Sequence, residues 1–477
     1  MSNDSQAEAT NERDELAPES TKQRSKLRWL MMAAALHALC YLLILPPWMG
    51  EDEPWHLEYA HYVAAGHMPW GGREVSMADI PKYPPSQAFV VRELGGMGAE
   101  EIDETQRSIT QSMRDHDFWK RVDWASWGGG VENFDQVSPF FTATHQPPAY
   151  YLFTGQILRL LGGRDILREM WIERGLALLA YLAVVLAAYE VGRRVSTDPS
   201  IAIVCALLVA WWPMHARQAA VVSNDVLVKV ASAWTLVLAL DLARLGWTRK
   251  RGLMALGLAG IALAIKSTAA GVLVPLSLAL LWPGMKSSRM RSTKFRVGAL
   301  TLILLAMAAL VLVLQSSHNP AVPHRLAEFQ KRIHEAAQPA FRNEFARTAV
   351  GAFNWYSRDL PQWLYNSVGC TLALALIGLL VSLMRRASDL RRGLTLLCLA
   401  GCSAQLLLVI LRGTAVGRYA IPMLPAFAAL AAVGFLAPFP PKWRARVGAL
   451  IAILLLAFDG YFAWAGLVWN QYGVWGS

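Results

Sequence analysis

Apolar residues in this chain come in blocks of about 20, separated by short clusters of Lys and Arg. A bilayer-spanning helix needs about 20 apolar residues, and clustered basic residues mark cytoplasmic loops. The blocks cover 27–47, 170–192, 199–214, 218–243, 252–282, 297–315, 364–384, 393–412, 418–437 and 446–466. The block at 252–282 is too long for one crossing and is broken by Lys266-Ser267-Thr268, so it reads as two short crossings. Hydrophobic residues make up 55% of the 477 residues and charged ones 17%, against about 25% charged in ordinary soluble domains. This excludes disorder, collagen, a coiled coil and a small disulfide scaffold. The expected fold is an all-α polytopic membrane protein with about 11 transmembrane helices.

Putting each dense basic cluster on the cytoplasmic side sets the topology. Lys22, Arg24, Lys26 and Arg28 precede the first block, which ends at Pro46-Pro47 with no small-residue cleavage site. That reads as an uncleaved signal anchor after a disordered tail, 1–26. The N-terminus then lies inside and the C-terminus outside. A long outer loop, 48–169, carries interfacial helices, among them 148–162. The bundle continues over 170–315, an amphipathic lid segment over 316–362, and the last crossings over 363–477. The basic excess lies in these clusters, so the pI of 9.4 is no nucleic-acid footprint and no such partner is expected. The five cysteines all fall in apolar blocks, so neither a disulfide nor a Cys metal site is expected.

The exceptions to this pattern point to function, because a charge within or beside a span is costly. Asp52, Glu53, His56, His145, Arg217, Asp225, Lys266 and Arg418 all fall on the outer face or just inside it. Together they suggest one outward-facing polar cavity, although helix-end snorkelling and interhelical ties explain some members equally well. Glu51-Asp52-Glu53-Pro54-Trp55-His56 follows the first block. Adjacent carboxylates repel, so their pKa values separate, which suits a general acid or base; a solvated acidic turn is the plainer reading. His145-Gln146-Pro147-Pro148 fixes the chain before an amphipathic helix. Arg217 offers a planar fork to phosphate oxygens. Asp225 follows Ser223-Asn224 at a helix start, where the helix dipole also favours it. Lys266-Ser267-Thr268 suits an anion, and Gly417-Arg418-Tyr419 puts an arginine at an outer helix end. Trp119, Trp124 and Trp127 are candidates to stack on sugar rings, though interfacial belts use Trp too. His318, His324 and His334 match no standard metal spacing.

DEPWH, HQPPAYY, the Asn224-Asp225 pair, KST and GRY with two later prolines occur in this order over 27–437. This set resembles the GT-C superfamily of integral-membrane glycosyltransferases, especially the protein O-mannosyltransferase and aminoarabinose-transferase branch. The resemblance implies a GT-C-like fold with its active site on the periplasmic face of a bacterial inner membrane. It implies a polyprenyl-phosphate-linked sugar as donor and a lipid, glycan or protein as acceptor. By resemblance, Asp52 takes the acceptor proton with Glu53 in support, and Arg217, Lys266 and Arg418 hold the donor phosphate. His56, His145, Asp225 and Tyr419 complete the cavity; Gln146 departs from a simple His-Pro-Pro. Basic side chains stabilise a leaving phosphate, so no cofactor is required and a divalent metal is optional. A single displacement would invert the anomeric centre. The competing expectations are a transporter or flippase of a lipid-linked glycan, and a glycan ligase or polymerase. A transporter would call for polar groups at the bilayer midplane and internal repeats. The polar groups here sit at one face.

Overall fold

A computed structural model describes residues 20–66, 105, 108–109, 111–118, 146–163, 165–281, 331–351, 361–384, 389–413, 415–463 and 468. Among them regular structure is helical throughout, and seven helices are long and apolar enough to cross a membrane. These are α1 (Thr21–Ile44), α4 (Ile166–Val195), α7 (Asn224–Leu245), α11 (Gln362–Met384), α12 (Asp389–Arg412), the run Gly417–Leu436 that contains α13 (Leu424–Leu436), and α14 (Pro441–Phe462). Two shorter apolar helices, α5 (Pro199–Ala210) and the stretch Ser267–Leu281 ending in α9 (Leu273–Leu281), accompany them. The count of 11 is therefore not reached among the described residues, and 297–315 lies outside them. Further helices include α2 (Glu53–Ala64), α3 (Ala149–Leu161), α6 (Pro213–Gln218), α8 (Arg249–Ile265) and α10 (Pro339–Val350).

Local chemistry sets the helix starts. Ser20 and Gln23 form a capping box, so α1 begins at Thr21, inside the stretch expected as a tail. Asp165 caps α4 through the amides of Leu167 and Arg168, and Ser223 caps α7 through that of Asp225. The 252–282 block does break at Lys266, where α8 ends in extended backbone and a 3-10 turn, Ser267–Val272, begins.

Side-chain placement is that of a chain meeting lipid. Leu36, Leu374 and Ile453 are more than half exposed, while small residues fill the contacts between helices. Gly378 of α11 and Gly434 of α13 cross so closely that a Cβ on either would strike the other helix's backbone. One end of the bundle is closed by ion pairs, Arg194–Asp241 at 2.8 Å and Arg444–Asp198 at 2.9 Å. The other end, where α1 finishes and α7 starts, gathers α2, α3, α6 and the two 3-10 segments. There α3 packs along α2.

Candidate active site

Pro46-Pro47 end α1, and the next five residues turn the chain back into α2. Two non-glycine residues in this turn have left-handed backbone, Trp48 (φ 68°) and Asp52 (φ 60°). Such strain costs about 1–3 kcal/mol each and lasts only where the surroundings enforce it. Here Arg174 of α4 does so. Fully buried, it donates to Glu53 at 2.7 and 2.8 Å and to the carbonyls of Leu45 and Pro46 at 2.9 Å each. Glu53 also accepts from the amides of Gly50 at 3.2 Å and Val222 at 3.1 Å. Arg217, also fully buried, pairs with Glu51 and donates to the carbonyl of Met49 at 3.2 Å.

The three consecutive acids thus have different fates. Glu51 and Glu53 are buried beneath the turn. Asp52 is 29% exposed, and its left-handed backbone directs the carboxylate away from helix capping. It accepts from Arg418 Nη2 at 2.6 Å. Burial pushes the Asp52 carboxyl up, but the positive surroundings together, Arg418 foremost, outweigh that and hold it below the usual carboxylate range. His56, one turn along α2, hydrogen-bonds the Tyr151 hydroxyl through Nδ1 at 2.7 Å and stacks on its ring. Burial pushes His56 down to about 4, against the opposing pull of Asp52, so the imidazole is neutral near pH 7.

Arg418 leads on to a second, more buried acid. Its Nε lies 3.9 Å from Asp225, whose other oxygen accepts from Lys266 Nζ at 2.6 Å. Lys266 also donates to Asn224 at 3.1 Å. Lys266, Arg412 and Arg418 sit 5.2, 5.6 and 5.7 Å from the centre of the Tyr419 ring. Three cations therefore face two carboxylates around one aromatic ring. The positions come from two 3-10 turns, Ser267–Val272 and Gly417–Met423, joined by Gln405, whose amide donates to the carbonyls of Thr268 at 2.8 Å and Tyr419 at 2.6 Å. Arg412 closes the group with a 2.5 Å hydrogen bond to Ser267. Beside the cluster, Lys229 hydrogen-bonds Gln218 within the bundle.

Asp52, His56, Asp225, Lys266, Arg418 and Tyr419 thus come together. Two expected members do not present themselves in the same way: Arg217 and Glu53 are spent on the turn. The side chains of both are 0% exposed, so neither presents a face to a substrate. His145, His318, His324 and the three loop tryptophans lie outside the described residues. Sequence reasoning passed over Arg174, Lys229 and Arg412. A charge inside an apolar block was the available signal for the first two; Arg412 closes a block and looked like an ordinary helix end. Among the described residues no three His, Cys, Asp or Glu gather as a metal site. The donor set around Asp52 does not suit a divalent ion either, since each carboxylate already has a cation and cations are in excess.

α10 is tied over this end. Thr348 accepts from the Gly417 amide at 2.6 Å, its own proton going to the Glu344 carbonyl at 2.8 Å, while Trp212 donates to the Ala349 carbonyl at 2.8 Å. A Cβ at Gly417 would collide with α10, so glycine allows this approach. α10, which lies in the segment expected over 316–362, is thereby fastened to the residue before Arg418.

No curated protein and no solved structure matches the chain significantly. The family described as predicted membrane protein (DUF2142) matches residues 36–427, from α1 through Arg418 into α13, and the chain belongs to that family.

Proposed function

We propose that this membrane protein is a glycosyltransferase that moves a sugar from a polyprenyl-phosphate donor to an acceptor hydroxyl. The observation that carries this reading is the exposed Asp52 carboxylate beside the Lys266–Arg412–Arg418 cluster. A phosphate ester leaving group needs cations, and an attacking hydroxyl needs a base across the sugar. Arg418, Arg412 and Lys266 hold the donor phosphate, with Tyr419 between them. The acceptor oxygen attacks the anomeric carbon, its proton passes to Asp52, and the bond from that carbon to the phosphate oxygen breaks. The polyprenyl phosphate leaves with the electron pair. One displacement inverts the anomeric centre.

The resting ion pair has a role in this scheme. Donor phosphate competes with Asp52 for Arg418. As Arg418 turns to the phosphate, Asp52 loses the partner that depresses its pKa and becomes the stronger base. Glu53 and Arg217 act as positioning residues that enforce the turn. The acceptor is a lipid, a glycan or a protein, and the working face is the periplasmic side of a bacterial inner membrane.

The test is to incubate purified wild type and Asp52→Asn with a panel of polyprenyl-phosphate sugars and native membrane extract. Free polyprenyl phosphate is followed by mass spectrometry. Asn keeps the left-handed backbone and the shape. Acceptor-dependent release by wild type, lowered about 10²–10⁴-fold in Asp52→Asn, is expected. Equal release by both removes Asp52 as the base. No release with any donor, together with retention of one lipid-linked glycan, points to a transporter instead.

A further inference from the structure

At the end of the bundle away from Asp52, a cleft opens between α1, α5 and α14. Its volume is about 460 Å³, within the range of about 300–1,000 Å³ typical of ligand clefts. The walls are apolar: Ile203, Val204 and Leu207 of α5 face Gly448, Ala449 and Ala452 of α14. Gly448 lies against Val204, and Ala445, Ala449 and Ala452 line the cleft beside that contact. It runs from Pro199 to Leu207 along α5, about 12 Å of helix at the usual rise. Neighbouring outward side chains on the same helices, Leu36 on α1 and Leu450 and Ile453 on α14, are more than half exposed, so this flank meets lipid.

The mouth is basic. Lys22 and Lys26, one turn apart on α1, line it with exposed ammonium groups. Arg24, Arg28, Lys442, Arg444 and Arg446 belong to the same ends of α1 and α14. Asp198, just before α5, is already held by Arg444. An apolar slot along the membrane normal with two lysines at its polar end is complementary to one class of molecule. We propose that this cleft binds an anionic phospholipid of the surrounding leaflet, an acyl chain between α5 and α14 and the headgroup phosphate on Lys22 and Lys26. Basic pockets between membrane helices are known to take such headgroups. The site is separate from the Asp52 cluster and does not depend on what that cluster does.

The experiment is native mass spectrometry of the full chain in detergent with phosphatidylglycerol or phosphatidylcholine of identical acyl chains. Wild type is expected to retain phosphatidylglycerol roughly thirty-fold more strongly, because two lysines face a net negative headgroup in one lipid and a zwitterion in the other. Lys22→Glu combined with Lys26→Glu should remove that preference. Ala449→Trp, which fills the cleft from an exposed position, should lower retention of both lipids while leaving the lysines in place. Equal retention of the two lipids by wild type overturns the proposal. So does undiminished phosphatidylglycerol retention in either variant. Preferential displacement of phosphatidylglycerol by polyprenyl phosphate would also overturn it, because the cleft would then serve the carrier lipid.

Discussion

At the scale of single residues, burial decides what each charge is for. Arg174 and Glu53 are both fully buried, so removing one strands the other. Arg174→Met should cost about 3–5 kcal/mol, read as a lowered thermal unfolding midpoint in detergent. Arg412 is only half-buried and reaches the cluster through Ser267 and the Tyr419 ring. Arg412→Ala should therefore leave stability nearly unchanged and raise the donor KM roughly ten- to hundred-fold, the range for a lost charged hydrogen bond. His56 carries a pH signature. Its folded pKa, pushed down to about 4 by burial, lies below the unfolded value near 6.5. Between those values the unfolded chain binds a proton that the folded one refuses, so stability falls as pH drops from 6.5 to 4. The full effect is on the order of 3 kcal/mol. A His56→Gln variant should lose that slope when thermal midpoints are compared from pH 4 to 7. An unchanged slope would assign it to another group.

Between elements, the decisive contacts are made by residues with little or no side chain. α11 and α13 approach at Gly378 and Gly434, where a Cβ has no room. Gly434→Val should force the pair apart and destabilise by about 1–3 kcal/mol or more. Gly257 on α8 has open space around it, so Gly257→Ala should be neutral or slightly stabilising, and it serves as the control. The midpoint shift of each variant checks the contrast. These crossings are not visible in the apolar blocks, where Gly378 and Gly257 look alike. The difference lies in which neighbour each glycine meets.

Across the whole molecule, the first and last described spans are clasped together. Asp459 of α14 accepts from the Tyr41 hydroxyl at 2.8 Å and pairs with His37 Nε2 at 2.5 Å, both on α1. α14 is tied by this clasp near one end and by the Arg444–Asp198 ion pair near the other. A double-mutant cycle of His37→Ala and Asp459→Ala, followed by thermal unfolding, should give a coupling of about 1 kcal/mol or more. The alternation of apolar blocks and basic clusters by itself determined that this is a helical membrane protein, and it determined which end holds the unusual polar groups. It also picked out the acidic turn after the first span, Lys266 and Arg418, because charge beside a span is costly wherever it pairs. Only the tertiary structure decided the pairings. Glu51, Asp52 and Glu53 are consecutive, yet they meet Arg217, Arg418 and Arg174, which lie 166, 366 and 121 residues away. In sequence the three acids are equivalent. A turn with left-handed backbone at Asp52, held by two buried arginines, buries two of them and leaves the third open to solvent. Partner choice in a low-dielectric interior depends on which helices pack side by side, and local sequence does not encode that.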